Sequence, residues 1–451
     1  MNIVATYQDY LEQTEESKAD FVYTTVSKYK SSKDYRAACD GDNYANGRNT
    51  LIEQYQKVLY TVTGRAVPDT ISPNYKLKTG FFKRFVRQRA AYLLSNGIRF
   101  ENESTKEKFG NDFDHELYFN GYDTLAQGVV YGFYNYDHVE FFTAKEFVPL
   151  FDEDTGALRG GIRFWQIADN KPQRATLYDD NGVTEYIKRA DEAKPVILRQ
   201  SPYKSIVRTS QADGITINDG GSYGSFPIVP WYANRAKQSE LVGIKEQIDC
   251  YDLIKSGFAN DMDEANQILW ILHNMGGMDD DISLAKFVER IKTTKAAAVD
   301  SDQQIESRTV EPPFEARQTY LTLLRKDLYE DAMALDTQEI AAGNVTATQI
   351  TAAYEALSQA ADDFEAQTIK FILGLLKVMG ITDYPKFDRS QVSNAPETTQ
   401  MIMSAAGVLD NDTIIDKLPF LTTDEKEEVK NRLSAEQMNM ANMGKNNERR
   451  T

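Results

Sequence analysis

The spacing of apolar residues changes along this chain and divides it into segments. Between residues 129 and 232 apolar and polar positions alternate, and Asp-Asn-Gly, Asp-Gly and Gly-Gly turns separate the short runs. Alternation is the pattern of β-strands, so this stretch predicts a meander of hairpins. Over 239–265, 313–336 and 347–379 apolar residues recur every third or fourth position, as in α-helices. The pattern therefore predicts an α+β fold with three long helices.

The first long helix has a narrow apolar stripe and an acidic remainder. The stripe consists of Leu241, Ile244, Ile248, Tyr251, Phe258, Met262 and Ala265. It covers less of the circumference than a core helix needs, so we expect this helix to pack along one line and to show its other faces to solvent or to neighbouring subunits. Between Ser239 and Ala265 seven carboxylates stand against two lysines.

The other segments have distinct compositions. The residues before 129 predict mainly helices: one with a stripe of Leu51, Ile52, Tyr55, Val58 and Leu59, one over 76–95 and one over roughly 105–127. The stretch 76–99 has seven cations and no acid: Lys76, Lys78, Lys83, Arg84, Arg87, Arg89 and Arg99. Residues 266–312 predict a small mixed insert of strands and one helix. A short return strand follows the 347–379 helix, and 397–433 predict short helices. Residues 434–451 lack an apolar period and predict a disordered tail.

The bulk composition excludes several classes of protein. A net charge of −17 over 451 residues argues against a conventional DNA-binding protein, which needs a basic surface. The sequence has no apolar run long enough to span a membrane and no secretory signal pattern at its start, so we expect no membrane contact. Cys39 and Cys250 lack metal-binding spacing, and we expect free thiols in a reducing cytoplasm.

Candidate catalytic groups are few. The sequence has only three histidines, which is few for a metal or catalytic site built on histidine, and it has no glycine-rich phosphate-binding motif. Asp154-Thr155-Gly156 matches the catalytic turn of aspartic proteases, but its charged flanks favour a hairpin turn. Asp279, Asp280 and Asp281 precede a predicted helix, where carboxylates cap the positive helix end more readily than they bind metal. We therefore expect that the protein is not an enzyme and that it binds no cofactor.

The stretch from Pro227 to Gly277 resembles a known family. An apolar strand leads through a polar linker into the acidic helix, whose run SELVGIKEQIDCYDLIKSGFANDMDE is the strongest part of the match. This arrangement is similar to the entry into the stem of the portal proteins of tailed bacteriophages, the head–tail connectors of siphophage type. The resemblance extends over roughly residues 20–430, with IAAGNVTATQITAAYEALSQA (340–360) as a second matching segment.

The resemblance implies a portal-like fold in a fixed order along the chain. Its parts are a helical and β wing (1–238), a stem helix (239–265), a small α/β clip (266–312), a second stem helix (313–336), a tunnel loop (337–346), a long helix with a return strand (347–396), a helical crown (397–433) and the tail (434–451). Ala347 stands where the family commonly has glycine, so the resemblance does not fix the residue at which the tunnel loop ends.

The same resemblance implies a function and partners. The family forms a dodecameric ring at the capsid vertex of the virion, assembled in the host cytoplasm, with a channel for double-stranded DNA entry and exit. It binds scaffold and major capsid protein, docks the terminase large subunit during packaging, and later binds a head-completion adaptor before genome ejection. An acidic channel wall would repel phosphate and let DNA slide; the alternative is that these acids only keep extended helices soluble.

Three groups of residues are the candidates for these contacts. The tunnel loop around DNA would use Gln338, Glu339, Gly343, Asn344, Val345 and Thr346. The channel face of the stem would use Lys245, Glu246, Asp249, Asp252, Lys326 and Glu330. The clip would contact terminase and adaptor through Trp270, His273, Asp279, Asp280, Lys286 and Arg290.

Several alternatives stay open at the level of sequence. The basic 76–99 stretch fits a solvated face, ion pairing with a neighbouring subunit in a ring, or a nucleic-acid contact. A phage-encoded metal-dependent nuclease or protease would use Asp152–Asp154 or Asp279–Asp281. A minor capsid protein without a channel is the third possibility.

Overall fold

A computed structural model describes most of the chain. The described residues are 3–60, 64–70, 72–192, 194–209, 216–221, 223–265, 269–273, 304–308, 314–338, 347–390, 395–404, 410–418, 421 and 425–435. The chain divides into two compact units. The first consists of Met1–Asp42, Lys83–Val242 and Tyr329–Thr451, and the second of Asn43–Phe82 and Gly243–Leu328.

Helices and strands both contribute to the described part, so the architecture is a mixed α and β one. The helices are α1 (Tyr7–Leu11), α2 (Glu15–Lys30), α3 (Lys33–Ala45), α4 (Thr50–Gln54), α5 (Phe81–Leu94), α6 (Glu103–Glu107), α7 (Phe113–Gln127), α8 (Lys245–Ala265), α9 (Phe314–Asp331), α10 (Ala347–Met379), α11 (Ala395–Ser404) and α12 (Asn411–Lys417). Within the described ranges, none of the helices is long and apolar enough to cross a membrane.

The strands are short. They are β1 (Val58–Tyr60), β2 (Ala66–Pro68), β3 (Ile98–Arg99), β4 (Val129–Asn135), β5 (His138–Thr143), β6 (Phe147–Phe151), β7 (Leu158–Trp165), β8 (Gln173–Tyr178), β9 (Val183–Lys188), β10 (Val196–Ser201), β11 (Lys204–Thr209), β12 (Thr216–Gly221), β13 (Ile228–Tyr232), β14 (Leu269–His273), β15 (Gln304–Arg308) and β16 (Lys386–Phe387).

The larger sheet of the first unit has five antiparallel strands in the order β10-β9-β8-β7-β6. Helix α2 packs on one face of it, where Val22 from the helix and Leu150 and Ile162 from the strands are fully buried. Tyr29 on α2 donates a hydrogen bond to the Ala144 carbonyl over 2.8 Å. Alternate residues of these strands thus face α2 and form a hydrophobic core with it.

The second sheet of this unit, in the order β13-β4-β5, carries the long helix α10. Trp231 on β13 is fully buried, stacks on Phe371 with ring centroids 5.0 Å apart, and donates its indole N–H to Thr368 Oγ1 over 3.1 Å. A Cβ atom at Gly132 would lie 2.6 Å from the Phe371 ring, so the close approach of helix and sheet needs glycine there.

Arg389 holds the chain after the short strand β16 against α10. Its Nη1 donates to Ser358 Oγ over 2.8 Å and its Nε to Glu365 Oε2 over 3.0 Å, and it also pairs with Asp362. These three acceptors are one helical turn or two apart on α10, so one guanidinium spans them.

Many predicted elements are confirmed. Strands 147–151 and 183–188 and the helix 347–379 have the predicted bounds, and the Asp152–Gly156 turn is a hairpin turn between β6 and β7. The predicted single meander instead forms two sheets and a separate β11–β12 hairpin, because β13 pairs with β4 and not with its neighbours in sequence. Strand β11 was not predicted.

Other predicted helix bounds are wrong. The acidic helix begins at Lys245 and not at 239, and the basic helix begins at Phe81 after an extended segment, not at 76. The helical stripe predicted through Val58 and Leu59 is a β-hairpin, β1–β2. The helix predicted over 105–127 is interrupted by Gly110, whose φ of 97° is left-handed. The helix over 425–435 extends two residues into the predicted tail of 434–451, and 436–451 lie outside the described residues.

Candidate functional site

Helix α8 buries a row of polar residues that was not predicted, in addition to the start of the predicted apolar stripe, where Leu241, Ile244 and Ile248 are buried. Asp249, Asp252, Ser256 and Asn260 are buried at 7%, 0%, 4% and 2% exposure. Their spacing of three and four residues places them on one face of the helix. Met262, a member of the predicted apolar stripe, is 53% exposed. We call the side chains of Asp252, Ser256 and Asn260 the polar ladder.

An extended segment, residues 73–80, runs along this ladder. The backbone N–H groups of Tyr75, Leu77 and Thr79 donate to Asn260 Oδ1 (2.7 Å), Ser256 Oγ (3.0 Å) and Asp252 Oδ1 (3.0 Å). Two residues of extended chain advance about 6.6 Å, and four residues of helix advance about 6 Å. The two periods nearly match, so every second N–H of the segment meets a ladder side chain.

Asp252 is the most constrained group of the ladder. Asn49 Nδ2 donates to its Oδ2 over 2.9 Å, and Thr79 Oγ1 donates to its Oδ1 over 2.7 Å. Burial raises the pKa of Asp252, while the hydrogen bonds from Thr79 and Asn49 oppose that rise. The carboxylate is therefore a structural acceptor that holds two segments of the second unit to α8.

Asp249 has a similar internal role at the start of α8. Tyr44 OH donates a hydrogen bond to its Oδ1, and Lys245 Nζ lies 3.2 Å from its Oδ2. The Tyr44 hydroxyl oxygen also lies 3.0 Å from Asn49 Oδ1. The predicted channel residues Asp249 and Asp252 are thus buried within their own protomer. Their carboxylate oxygens accept hydrogen bonds from Tyr44, Asn49 and Thr79 instead of facing solvent.

The rest of the predicted stem face is accessible. Glu246 on α8 and Lys326 and Glu330 on α9 are exposed, and Lys245 is half-buried beside Asp249. Of the seven carboxylates within 239–265, at least Asp249 and Asp252 are buried acceptors of hydrogen bonds within the protomer. The sequence therefore overstated how much of this helix carries a free negative surface.

Helix α9 contacts α8 at few points in the second unit. Arg317 forms an ion pair with Asp261, and the rings of Phe258 and Phe314 meet edge to face with centroids 5.4 Å apart. Tyr320 and Leu323 on α9 remain 48% and 55% exposed. An amphipathic helix of a self-contained domain buries such residues, so this face is available to another surface.

Exposed apolar side chains are concentrated in the second unit. Within the described ranges ten of the large ones belong to it, although it is much the smaller unit: Leu51, Tyr55, Val58, Tyr75, Leu77, Leu253, Met262, Phe314, Tyr320 and Leu323. Single exposed apolar residues are ordinary, but such a concentration marks an interaction surface.

Most cations of the basic 76–99 stretch have partners within the chain. Lys78 pairs with Glu53 over 2.7 Å and lowers the pKa of that carboxyl. Arg89 pairs with Glu240, Arg99 with Asp388, and Arg84 donates to Tyr329 OH. Lys83 and Arg87, four residues apart on α5, are exposed. The surface left for a neighbouring subunit or a nucleic acid is therefore smaller than the sequence suggests.

The predicted clip and tunnel-loop residues are described only in part. Trp270 and His273 belong to strand β14, which pairs with β15 in an antiparallel two-stranded sheet. Gln338 is exposed, and its N–H donates to Asp336 Oδ1 over 3.0 Å. Asp279, Asp280, Lys286, Arg290, Glu339, Gly343, Asn344, Val345 and Thr346 lie outside the described residues.

The Asp152–Gly156 turn has no catalytic geometry. Thr155 donates to Asp152 Oδ1 from its N–H over 2.8 Å and from its hydroxyl over 2.6 Å, and these bonds hold the pKa of Asp152 below its usual value. An aspartic protease needs two carboxyls that share a proton. Within the described ranges no three His, Cys, Asp or Glu side chains come together as metal ligands would.

Sequence reasoning missed the polar ladder. The one signal in the sequence is the spacing of Asp252, Ser256 and Asn260 at intervals of four on the helix. That signal identifies a shared face, but a polar face is ordinarily a solvated one. The hydrogen-bond partners Asn49 and Thr79 lie far away along the chain.

Comparison with known proteins identifies the family. The family model described as "Phage portal protein, SPP1 Gp6-like" matches residues 27–441. The portal protein of Clostridium phage phiCD119 is 29% identical over 232 residues, which cover 49% of this chain and 50% of that protein. The portal protein of Bacillus phage SPP1 is 22% identical over 412 residues, which cover 83% of this chain and 79% of that protein. The chain thus aligns with about half the length of the Clostridium phage relative.

Solved structures give more distant similarities. Chains from the neck of a native gene transfer agent particle, computed with C12 symmetry, and from the virion of such a particle each cover 76% of this chain and are themselves covered to 90%. Both have a TM-score of 0.43, with 14% and 12% sequence identity. The family match, by contrast, extends over most of the sequence, and this chain belongs to the phage portal protein family of the SPP1 Gp6-like type.

Proposed function

We propose that this chain forms a closed ring at the capsid vertex of a phage, with a central channel through which double-stranded DNA enters and leaves. Family membership supports the ring, and a ring of twelve copies is the number expected of the family. The observation that carries the proposal is the exposed apolar surface of the second unit, above all Tyr320 and Leu323 on α9. A neighbouring copy would bury these side chains.

In this ring the accessible charged residues of the two stem helices are the candidates for the channel wall. Glu246 and Glu330 supply negative charge and Lys326 a positive charge. A predominantly negative wall repels phosphate, so DNA can slide without being held by counterion release. Residues 337–346 remain the proposed tunnel loop, and 266–312 the proposed clip that binds the terminase large subunit and the head-completion adaptor.

The ring itself is tested by the assembly state of the purified protein. We expect negative-stain images to contain rings with a central hole, and light scattering to give the mass of a ring. Leu323→Glu should reduce the ring fraction at least about tenfold, since it places a charge in a buried contact. Ile167→Glu is the matched control, because Ile167 is also aliphatic and is 85% exposed in the first unit. A monodisperse monomer at high concentration contradicts the proposal.

The channel is tested separately in particles. A variant lacking residues 337–346 that still forms rings should fail to package or retain DNA. Normal packaging by that variant would instead favour a capsid protein without a channel. For the enzymatic alternative, the Asp152–Gly156 turn is a hydrogen-bonded hairpin turn, and Asp279–Asp281 lie outside the described residues.

A further inference from the structure

Among the residues that the structure describes, strand β10 is an open edge of the five-stranded sheet. It lies at the end of the strand order, with β9 as its one hydrogen-bonded neighbour in that sheet. Val196, Ile197 and Leu198 are consecutive and exposed at 42%, 43% and 49%. Neighbouring residues of a strand point to opposite faces, so the strand is uncovered on both faces as well as at its edge.

The opposite edge of the same sheet is covered. On β6 the side chains of Phe147, Val148 and Leu150 are 0–1% exposed, and Thr6 forms a parallel bridge to Phe151. Natural proteins protect sheet edges because unpaired backbone groups and apolar side chains together recruit other strands. The β6 edge is protected by burial, whereas the β10 edge has two cations and a register shift between Ile197 and Arg199 but keeps Val196, Ile197 and Leu198 exposed.

The apolar layers of the sheet continue to the open edge. Ile197 lies opposite Tyr186, which lies opposite Ala175, and the latter two are 1% exposed. Val196 lies opposite Ile187 on the other face, which is 4% exposed. An added strand with apolar residues on both faces would extend these two rows and cover their exposed ends.

The charges at this edge select the occupant. Residues 194–201 contain two exposed cations, Lys194 and Arg199, and no acid. Arg199 lies opposite Glu185 on β9, so a carboxylate on the incoming strand would place the guanidinium between two acids. Pairing of β10 with β10 of a second copy would be two-fold symmetric, which does not fit a head-to-tail ring.

We propose that β10 binds an extended segment of a different polypeptide by strand addition, and that this segment is aliphatic and acidic. Backbone hydrogen bonds along the edge supply affinity, the rows that end in Val196 and Ile197 select aliphatic side chains, and Arg199 selects a carboxylate. This surface belongs to the first unit, and Tyr320 and Leu323, proposed for ring formation, belong to the second.

Two synthetic peptides test the binding of the full-length protein. One is a short dye-labelled peptide that alternates valine with glutamate and threonine, and the other has lysine in place of glutamate. We expect fluorescence anisotropy to show that the acidic peptide binds at least about tenfold more tightly than the lysine peptide. Hydrogen exchange of the β10 amides should slow when the acidic peptide is bound. No binding, or equal binding of both peptides, overturns the proposal.

Variants locate the site. Ile197→Lys introduces the kind of charge that protects natural edges and should weaken binding of the acidic peptide at least about tenfold. Ile167→Lys makes the same chemical change at an exposed position outside β10 and should leave binding unchanged. Arg199→Glu should weaken binding up to about fivefold, in line with the energy of a cross-strand charge pair. Unchanged binding by Ile197→Lys overturns the assignment to β10.

A photo-crosslinking residue at position 197 tests the occupant in assembled particles. A cross-link to an acidic, extended segment of another polypeptide supports the proposal. A cross-link to a second copy of this chain, or none, overturns it. Because ring formation is scored on the same particles by microscopy, failure of this proposal is distinguishable from failure of the proposed ring.

Discussion

Trp231 is the residue that fixes the long helix α10 to the three-stranded sheet. It is fully buried, stacks on Phe364 and Phe371, and satisfies its N–H through Thr368. A buried aromatic side chain stabilises the packing through its large apolar area, and the hydrogen bond from its polar group fixes the orientation of the ring. The packing of α10 therefore depends more on this position than on any surface residue of the helix.

We expect Trp231→Ala to lower the free energy of unfolding by about 3–5 kcal/mol, because it leaves a cavity and removes the ring stacking on Phe364 and Phe371. Trp165→Ala is the matched control, since Trp165 is 36% exposed at the end of β7. It should cost less than about 1.5 kcal/mol. Urea denaturation followed by circular dichroism measures both, and equal losses would contradict the role given to Trp231.

Asp123 on α7 is the residue that makes stability depend on pH. Burial, and then the nearby Asp42 carboxylate, raise the pKa of Asp123 to about 6, against a partial opposing effect of Lys145. In the unfolded chain an aspartate titrates near pH 4. The folded state therefore holds this proton more tightly, and its stability falls as the pH rises from about 4 to about 6.

Asp123→Asn removes this penalty. We expect the variant to be more stable than the parent chain by about 1–3 kcal/mol at pH 8, and the difference to vanish near pH 3, about one unit below the unfolded pKa, where the carboxyl is protonated in both states. Thermal unfolding of both proteins across this pH range measures the difference. A gain of equal size at both pH values would show that the effect is not electrostatic.

At the scale of elements, α8 and the extended segment 73–80 form an interface made of hydrogen bonds. The backbone N–H groups of Tyr75, Leu77 and Thr79 donate to side chains of the polar ladder, and the Thr79 hydroxyl adds a further bond to Asp252. Tyr75 and Leu77 keep their own side chains 48% and 36% exposed, so the segment contributes little apolar burial. The interface is therefore specific in register, because a shift by one residue would misplace every donor.

Asn260→Ala leaves the N–H of Tyr75 without its acceptor, and we expect a loss of about 1–3 kcal/mol of local stability. Hydrogen exchange of the Tyr75 amide should speed up by about tenfold or more, with a smaller change at Thr79. Met262→Ala on the same helix is the control, because Met262 is 53% exposed. If both variants change the exchange of Tyr75 equally, the ladder contact is not what protects that amide.

At the scale of the whole molecule, charge opposes the assembly that apolar exposure favours. Each chain carries a net charge of −17, and a ring brings many copies together. Salt screens exposed charges over about 10 Å at 0.1 M. Burial of the exposed residues of the second unit does not weaken with salt in this way.

We therefore expect the fraction of protein in rings to rise between about 10 mM and about 300 mM sodium chloride, as repulsion is screened. Light scattering at fixed protein concentration measures this fraction. Leu323→Glu should remain largely unassembled at both salt concentrations, because its defect is in the apolar contact. Rings that dissociate as salt is added would show that ion pairs between copies hold the assembly.

The sequence by itself determined the types of the elements and the family. Strands 147–151 and 183–188 and the helix 347–379 follow from local alternation and helical periodicity, which depend on residues a few positions apart. The run from Ser239 to Glu264 was enough for the resemblance that the family match over 27–441 confirms. The hairpin turn at Asp154-Thr155-Gly156 likewise follows from its own residues.

Only the tertiary structure decided which face of α8 is buried and which strands pair. Asp252 is buried because Asn49 and Thr79, more than 170 positions earlier in the chain, satisfy its oxygens. Strand β13 pairs with β4, although all five strands of the larger sheet, β6–β10, lie between them in the sequence. A periodic pattern carries no information about such distant partners, and a carboxylate without them would have stayed in water.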